Sequence, residues 1–192
     1  MSVNKFTFNL MIAGVGGQGT VLASKLIAAA AMNCGYDVRT TETIGMAQRG
    51  GSVVSHIRIG ENIFSPLIPL GKVNAIIAFE PAEAVRQLPY LRKDGAVLAC
   101  DSVIKPAAGD YEAVTMIDYL KKNTQRLIVL DGRRLAEQNA KTLNVALLGA
   151  AAQSGIFPFD ANTLLDVLPQ ILPSRFLEMN LKAFELGREI CP

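Results

Sequence analysis

The sequence contains no tryptophan and a single histidine, His56. A site that draws two or more histidines from one chain is therefore excluded. Cysteine is also scarce: Cys34, Cys100 and Cys191 stand far apart, their number is odd, and no C-x-x-C spacing occurs. Neither a zinc ribbon nor an iron–sulfur binding run is encoded, and the three read as ordinary reduced thiols. Charged residues make up only 19% of the chain, the formal net charge is +2, and no run of Lys and Arg appears. This excludes the electrostatic footprint of a nucleic-acid binder. Long hydrophobic runs are missing too. The apolar stretch that follows Met1–Asn9 breaks at glycines before it reaches membrane-spanning length, and no small-residue cleavage site stands behind it. The expected setting is cytoplasmic, with no membrane and no nucleic acid among the partners.

Half of the 192 residues are hydrophobic, enough to bury a sizeable core, and the length suits one domain spanning 1–192. No repeat, low-complexity segment or linker divides it. Short apolar runs alternate with amphipathic stretches in the first half. Phe6–Ala13 reads as a buried strand, Gln18–Cys34 as an Ala-rich helix capped by Gly35, and Asp37–Thr41 as a second strand. Ser52–Ile59 alternates, with Val53, Ser55, Ile57 and Ile59 on one face and Val54, His56 and Arg58 on the other. Asn74–Phe79 is a continuous apolar run, as in a strand covered on both faces. A helix is expected at Ala82–Leu91, and further strands at Ala96–Cys100 and Leu127–Leu130. The last third reads as helices at Arg134–Asn139, Leu143–Ser154, Asp160–Gln170 and Ser174–Arg188, with Asp160 as an N-cap and Pro173 at a tolerated first-turn position. The fold class expected is α/β: a three-layer, Rossmann-like domain with a mainly parallel sheet and a helical C-terminal third.

Two glycine loops carry the chemistry. Gly14-Val15-Gly16-Gly17-Gln18-Gly19 fits G-x-G-x-x-G between the first strand and the first helix. Its glycines permit a tight turn and close backbone approach, and the free N–H groups at the helix start favour an anion. Glu42, near the end of the second strand, stands where a ribose-binding acid is sought, so a dinucleotide site is one reading. Tight packing of helix on sheet, with nothing bound, is the other. Gln18 can contact a ligand or brace the loop. The second loop, Gly45-Met46-Ala47-Gln48-Arg49-Gly50-Gly51, follows the second strand. Loops at the carboxyl ends of parallel strands line one edge, so the two should converge there. Arg49 can grip a phosphate or carboxylate bidentately, or sit on a surface turn.

Taken together, Gly-Val-Gly-Gly-Gln-Gly-Thr, then Gly-Met-Ala-Gln-Arg-Gly-Gly-Ser-Val, then His56-Ile57-Arg58-Ile59, resemble the gamma subunit or domain of 2-oxoacid:ferredoxin oxidoreductases. The second loop is most similar to the indolepyruvate branch. Asn144 before Leu147-Leu148-Gly149, and Asn180 before Ala183-Phe184 and Gly187, agree with that family, and the likeness runs from about Leu10 to Gly187. The resemblance implies oxidative decarboxylation of a 2-oxoacid, an aryl pyruvate such as indolepyruvate, to an acyl-CoA. It implies thiamine diphosphate, iron–sulfur clusters and coenzyme A in the assembled enzyme, with none bound by this chain alone. The expected partner is a larger catalytic subunit carrying thiamine diphosphate and the clusters, with ferredoxin reached through the complex. The sequence has no Gly-Asp-Gly with a following metal-binding Asn, so this chain is not expected to be active by itself. Ligand-binding or active-site-facing positions are expected at Gly14, Gly16, Gly17, Gln18, Gly19, Gly45, Met46, Gln48, Arg49, Gly50 and Gly51, with no certain catalytic residue and no metal ligand. A nicotinamide-binding Rossmann protein and a non-catalytic scaffold are the competing readings.

Overall fold

The computed structural model describes residues 6–45, 50–104, 111–136 and 140–192. Its sheet has six strands: β1 (Thr7–Val15), β2 (Asp37–Ile44), β3 (Ser52–Gly60), β4 (Val73–Ala78), β5 (Leu91–Cys100) and β6 (Arg126–Leu130). Their order is β2-β3-β1-β4-β5-β6. β1, β4, β5 and β6 pair in parallel, whereas β3 pairs antiparallel with both β1 and β2. The expected mainly parallel sheet is present, with one reversed strand inside it.

The period-2 pleat divides the central strands between two cores. Leu10, Ile12, Ala75, Ile77 and Leu98 face one helical layer. Met11, Ala13, Ile76, Ala78 and Val97 face the other. The first layer contains α1 (Thr20–Asn33), α4 (Gly132–Ala136), α5 (Leu143–Gln153), α6 (Asn162–Ile171) and α7 (Ser174–Ile190). The second contains α2 (Pro81–Gln87) and α3 (Ala113–Asn123). Each fully buried Leu or Ile in these layers contributes about 1.5–3 kcal/mol relative to an exposed one.

Local chemistry explains the elements nearest the site. α1 is rich in Ala, a strong helix former whose small side chain lets the helix lie close to the sheet. It ends where Gly35 takes a positive φ of 83°. β3 departs from the expected strand with unlike faces, because its polar side is covered as well. His56 is 7% exposed, and its Nδ1 accepts the Ile68 backbone N–H at 3.3 Å. Arg58 donates to the Ser65 and Leu67 carbonyls. Residues 61–72 thus lie across that face.

Several boundaries differ from the expectation. β1 runs on to Val15, so the glycine motif begins inside the strand, and α1 starts at Thr20 rather than Gln18. β2 continues to Ile44. The helix expected at Ala82–Leu91 is α2 followed by a 3-10 turn at Leu88–Tyr90, and Leu91 already belongs to β5. Pro89 lies in that turn and lacks the N–H a continuing helix needs. The helix expected at Arg134–Asn139 is α4, which begins at Gly132; residues 137–139 lie outside the described set. Asp160 accepts the Asn162 N–H at 2.7 Å from just ahead of α6, an Asx-turn contact rather than the N-cap position itself.

Candidate functional site

The first glycine loop lies at the carboxyl edge of the sheet between β1 and β4, where helices depart to opposite faces. Such a switch point is where α/β sheets place their ligands. Gln18 closes the crevice. Its Oε1 accepts the Val15 N–H at 2.8 Å, and its Nε2 donates to the Phe79 carbonyl at 3.1 Å. Both ends of the amide are therefore used, and Gln18 braces the loop. Gly19 caps α1 with φ 79°, a left-handed conformation that favours glycine. A Cβ added there would lie 2.4 Å from the Asn144 Nδ2. Asn144 in turn donates to the Gly19 carbonyl at 3.4 Å, which ties the loop to α5.

The second loop reaches the same edge, but not as the end of a parallel neighbour. It is the hairpin connection between β2 and the reversed strand β3. Since Ser52 pairs with Val15, the hairpin arrives beside the tip of β1. Gly16 N–H donates to the Gly51 carbonyl at 2.9 Å, and Gly45 N–H donates to the Ser52 carbonyl at 2.9 Å. Gly14, Gly16, Gly17, Gln18, Gly19, Gly45, Gly50 and Gly51 are thus brought to one edge. Met46, Gln48 and Arg49 lie outside the described residues.

Glu42 does not join them. β3 separates β2 from β1, which sets Glu42 two strand spacings, about 10 Å, to the side. Its carboxylate instead receives the Ser24 hydroxyl at 3.5 Å. An acid reaching a ribose from the adjacent strand is what a dinucleotide site requires, and this topology does not provide it.

Two cavities flank the crevice. One, of about 440 Å³, is bordered by Gly16, Gly17, Gly19, Ser102, Lys141 and Asn144. The start of α1 and a lysine give it a positive character. The other, of about 340 Å³, is bordered by Gly50, Glu80, Glu83, Arg86 and apolar side chains. Ile104 borders both. Glu80 and Glu83 are each 2% exposed. Glu83 accepts the Ser52 hydroxyl at 2.6 Å and pairs with Arg86, so α2 anchors the exit of the second loop. Burial pushes the Glu80 carboxyl above its usual range, the largest effect on it. Motif reading missed this pair; the available signal was two glutamates in the short run Phe79-Glu80-Pro81-Ala82-Glu83 at the end of a central strand.

The cysteines stay apart. Cys34 is exposed, Cys100 is buried and Cys191 is intermediate, all as free thiols. Burial pushes the Cys100 and Cys191 thiols up, away from the reactive thiolate. Among the described residues, no group of three or more His, Cys, Asp or Glu is placed to hold a metal ion. None of the helices described is long and apolar enough to cross a membrane.

The family model described as pyruvate ferredoxin/flavodoxin oxidoreductase matches residues 9–190. The chain is 36% identical to the indolepyruvate oxidoreductase subunit IorB of Thermococcus kodakarensis, over 94% of each chain. It is 39% identical to the corresponding subunit of Archaeoglobus fulgidus, over 93% of this chain and 92% of that one. In fold it is similar to the 2-oxoglutarate:ferredoxin oxidoreductase of Magnetococcus marinus, with a TM-score of 0.73 at 22% identity, covering 96% of this chain and 31% of that larger one. With a sheet edge built from both glycine loops and a match along nearly its whole length, the chain belongs to the pyruvate ferredoxin/flavodoxin oxidoreductase family, as a small subunit of a 2-oxoacid:ferredoxin oxidoreductase.

Proposed function

We propose that this chain serves a thiamine-diphosphate-dependent oxidoreductase acting on indolepyruvate or a related aryl pyruvate, and that its glycine-loop edge closes over an active site carried mainly by a larger subunit. The observation that carries the reading is the near-full-length likeness to indolepyruvate oxidoreductase subunits. In the reaction so assigned, the bond between C1 and C2 of the oxoacid breaks and carbon dioxide leaves. The electron pair passes to ferredoxin through the larger subunit's iron–sulfur clusters. The acyl group ends on the coenzyme A sulfur, and the thiol proton goes to solvent.

The residues of this chain do not fit thiamine diphosphate. No Gly-Asp-Gly with a following metal-binding Asn occurs in the sequence, and no metal-holding cluster forms among the described residues. That chemistry is assigned to the partner. Coenzyme A suits the edge better. Lys141 and the N–H groups at the start of α1 border one cavity, and such a setting favours a phosphate or carboxylate. In this reading Arg49, flanked by Met46, Gln48, Gly50 and Gly51, adds a planar fork of donors for the same anionic group. Large apolar side chains exposed at this edge, Ile44 at 65% and Ile104 at 42%, suit contact with the partner. Three free thiols accord with a reducing, cytoplasmic setting.

The test is reconstitution. The chain is co-expressed with the larger subunit of its host, and indolepyruvate-dependent reduction of ferredoxin is followed together with acyl-CoA formation. Turnover that needs both chains is expected. Turnover by this chain alone would overturn the division of labour. A complex that oxidises other 2-oxoacids but not aryl pyruvates would overturn the substrate assignment.

A further inference from the structure

Glu83 is a buried carboxylate that its own helix does not use. It stands three residues after Glu80, whose side chain caps α2. In a capping box, a glutamate at that position turns back to the backbone N–H of the capping residue. Here its oxygens go elsewhere: Oε2 accepts the Ser52 hydroxyl at 2.6 Å, and Oε1 takes Arg86. Glu83 is 2% exposed, whereas the Arg86 side chain keeps 62% of its surface in water. A largely solvated arginine offsets only part of the cost of burying a carboxylate, and an apolar side chain of similar volume is often as stable in such a place. Packing alone gives no reason for a carboxylate here. The bond that leaves α2 does, because of what Ser52 holds. Ser52 is the last ladder residue after the second glycine loop and pairs with Val15; such ends are where a ladder opens first. Its carbonyl accepts the Gly45 N–H, and the neighbouring Gly51 carbonyl accepts the Gly16 N–H. One side-chain bond thus fixes the point where both glycine loops and α2 meet. Gly50 borders the cavity of about 340 Å³ and Gly16 the one of about 440 Å³, so the walls of both depend on that point.

We propose that Glu83 is a positioning residue: acting through the Ser52 hydroxyl, it holds the two glycine loops in the arrangement that binds coenzyme A. The proposal rests on the coenzyme A reading above. Glu83 itself touches no ligand.

The assembled enzyme tests it, with turnover followed against coenzyme A concentration. Ser52→Ala and Glu83→Leu should each raise the KM for coenzyme A about tenfold and leave kcat within about twofold of wild type, the pattern of lost binding rather than lost chemistry. Glu83→Gln keeps an oxygen for the Ser52 hydroxyl while Arg86 turns to solvent, so its KM should stay within about twofold of wild type. The double variant Ser52→Ala with Glu83→Leu should be no worse than either single change, because both remove the same link. A contact that only stabilises the fold gives another result: kcat falls as assembled enzyme is lost, and KM stays. That result, additive effects in the double variant, or a Glu83→Gln enzyme as impaired as Glu83→Leu would overturn the proposal. Should Glu83→Leu fail to assemble, Ser52→Ala against wild type decides. Turnover that needs coenzyme A, with an unmoved KM in both single variants, overturns this proposal and leaves the coenzyme A reading in place. Wild-type turnover that does not need coenzyme A removes that reading, and this proposal with it.

Discussion

At the scale of single residues, Gln18 and His56 show how a polar side chain can serve the backbone. Gln18 joins the tip of β1 to the tip of β4 through both ends of its amide. Gln18→Ala leaves a backbone N–H and a carbonyl without that partner, so a loss of about 1–3 kcal/mol is expected in urea unfolding of the isolated chain. A loss too small to measure would mean that water replaces the brace. His56 accepts the Ile68 N–H and meets the Tyr90 ring edge-on at 5.7 Å. Burial lowers its pKa below the ordinary 6.5, so the folded chain favours the neutral ring. The unfolded chain binds more protons between the two values. The contribution of His56 is therefore present above pH 6.5 and is lost as the pH falls through the lowered folded-state value. Unfolding titrations from neutral to acid pH should show this component in the wild type and lack it in His56→Phe. Identical pH slopes in the two proteins would contradict the assignment.

At the scale of elements, the crossing of α5 and α7 explains residues that motif comparison could only note. A Cβ on Gly149 would lie 2.0 Å from the Phe184 carbonyl oxygen, and one on Gly187 would lie 1.9 Å from that of Ala146. The two backbones touch, and neither has room for a methyl group. Gly149→Ala and Gly187→Ala should each destabilise by about 1–3 kcal/mol, read as a lowered melting temperature. An unchanged value would mean that the helices separate without cost. Other elements were legible to different degrees. The buried runs of β1 and β4 announced themselves, because a strand covered on both faces has little choice but continuous apolar residues. α3 was not foreseen, although Ala113, Met116, Ile117 and Leu120 recur at helical spacing and form its less exposed face, with Leu120 buried. The early start of β5 was hidden by Arg92, Lys93 and Asp94, a charged run that interrupts the apolar pattern ahead of Ala96. β3 was recognised as a strand, but side-chain alternation is the same for either pairing direction, so its reversal was not readable. For that reason the two glycine loops meet as expected while Glu42 stands two strands away. The carboxyl pair Glu80 and Glu83 escaped notice because it follows no motif spacing, and its burial depends on distant partners such as Ser52.

At the scale of the whole molecule, the two ends of the sheet differ. The carboxyl edge gathers both glycine loops, the two cavities and the exposed Ile44 and Ile104. From the opposite edge, where Gly60 pairs with Thr7, the segment that leads into β4 runs back across the face of β3, with Phe64, Leu67 and Leu70 exposed at 89%, 62% and 65%. In the function proposed above, the first of these edges is the one presented to the partner. Amide hydrogen exchange, compared between the free chain and the complex with its larger subunit, tests this most directly. Slowed exchange is expected on assembly in peptides covering residues 14–22 and 44–52. Unchanged exchange at both segments, with protection confined to other surfaces of the chain, would contradict it.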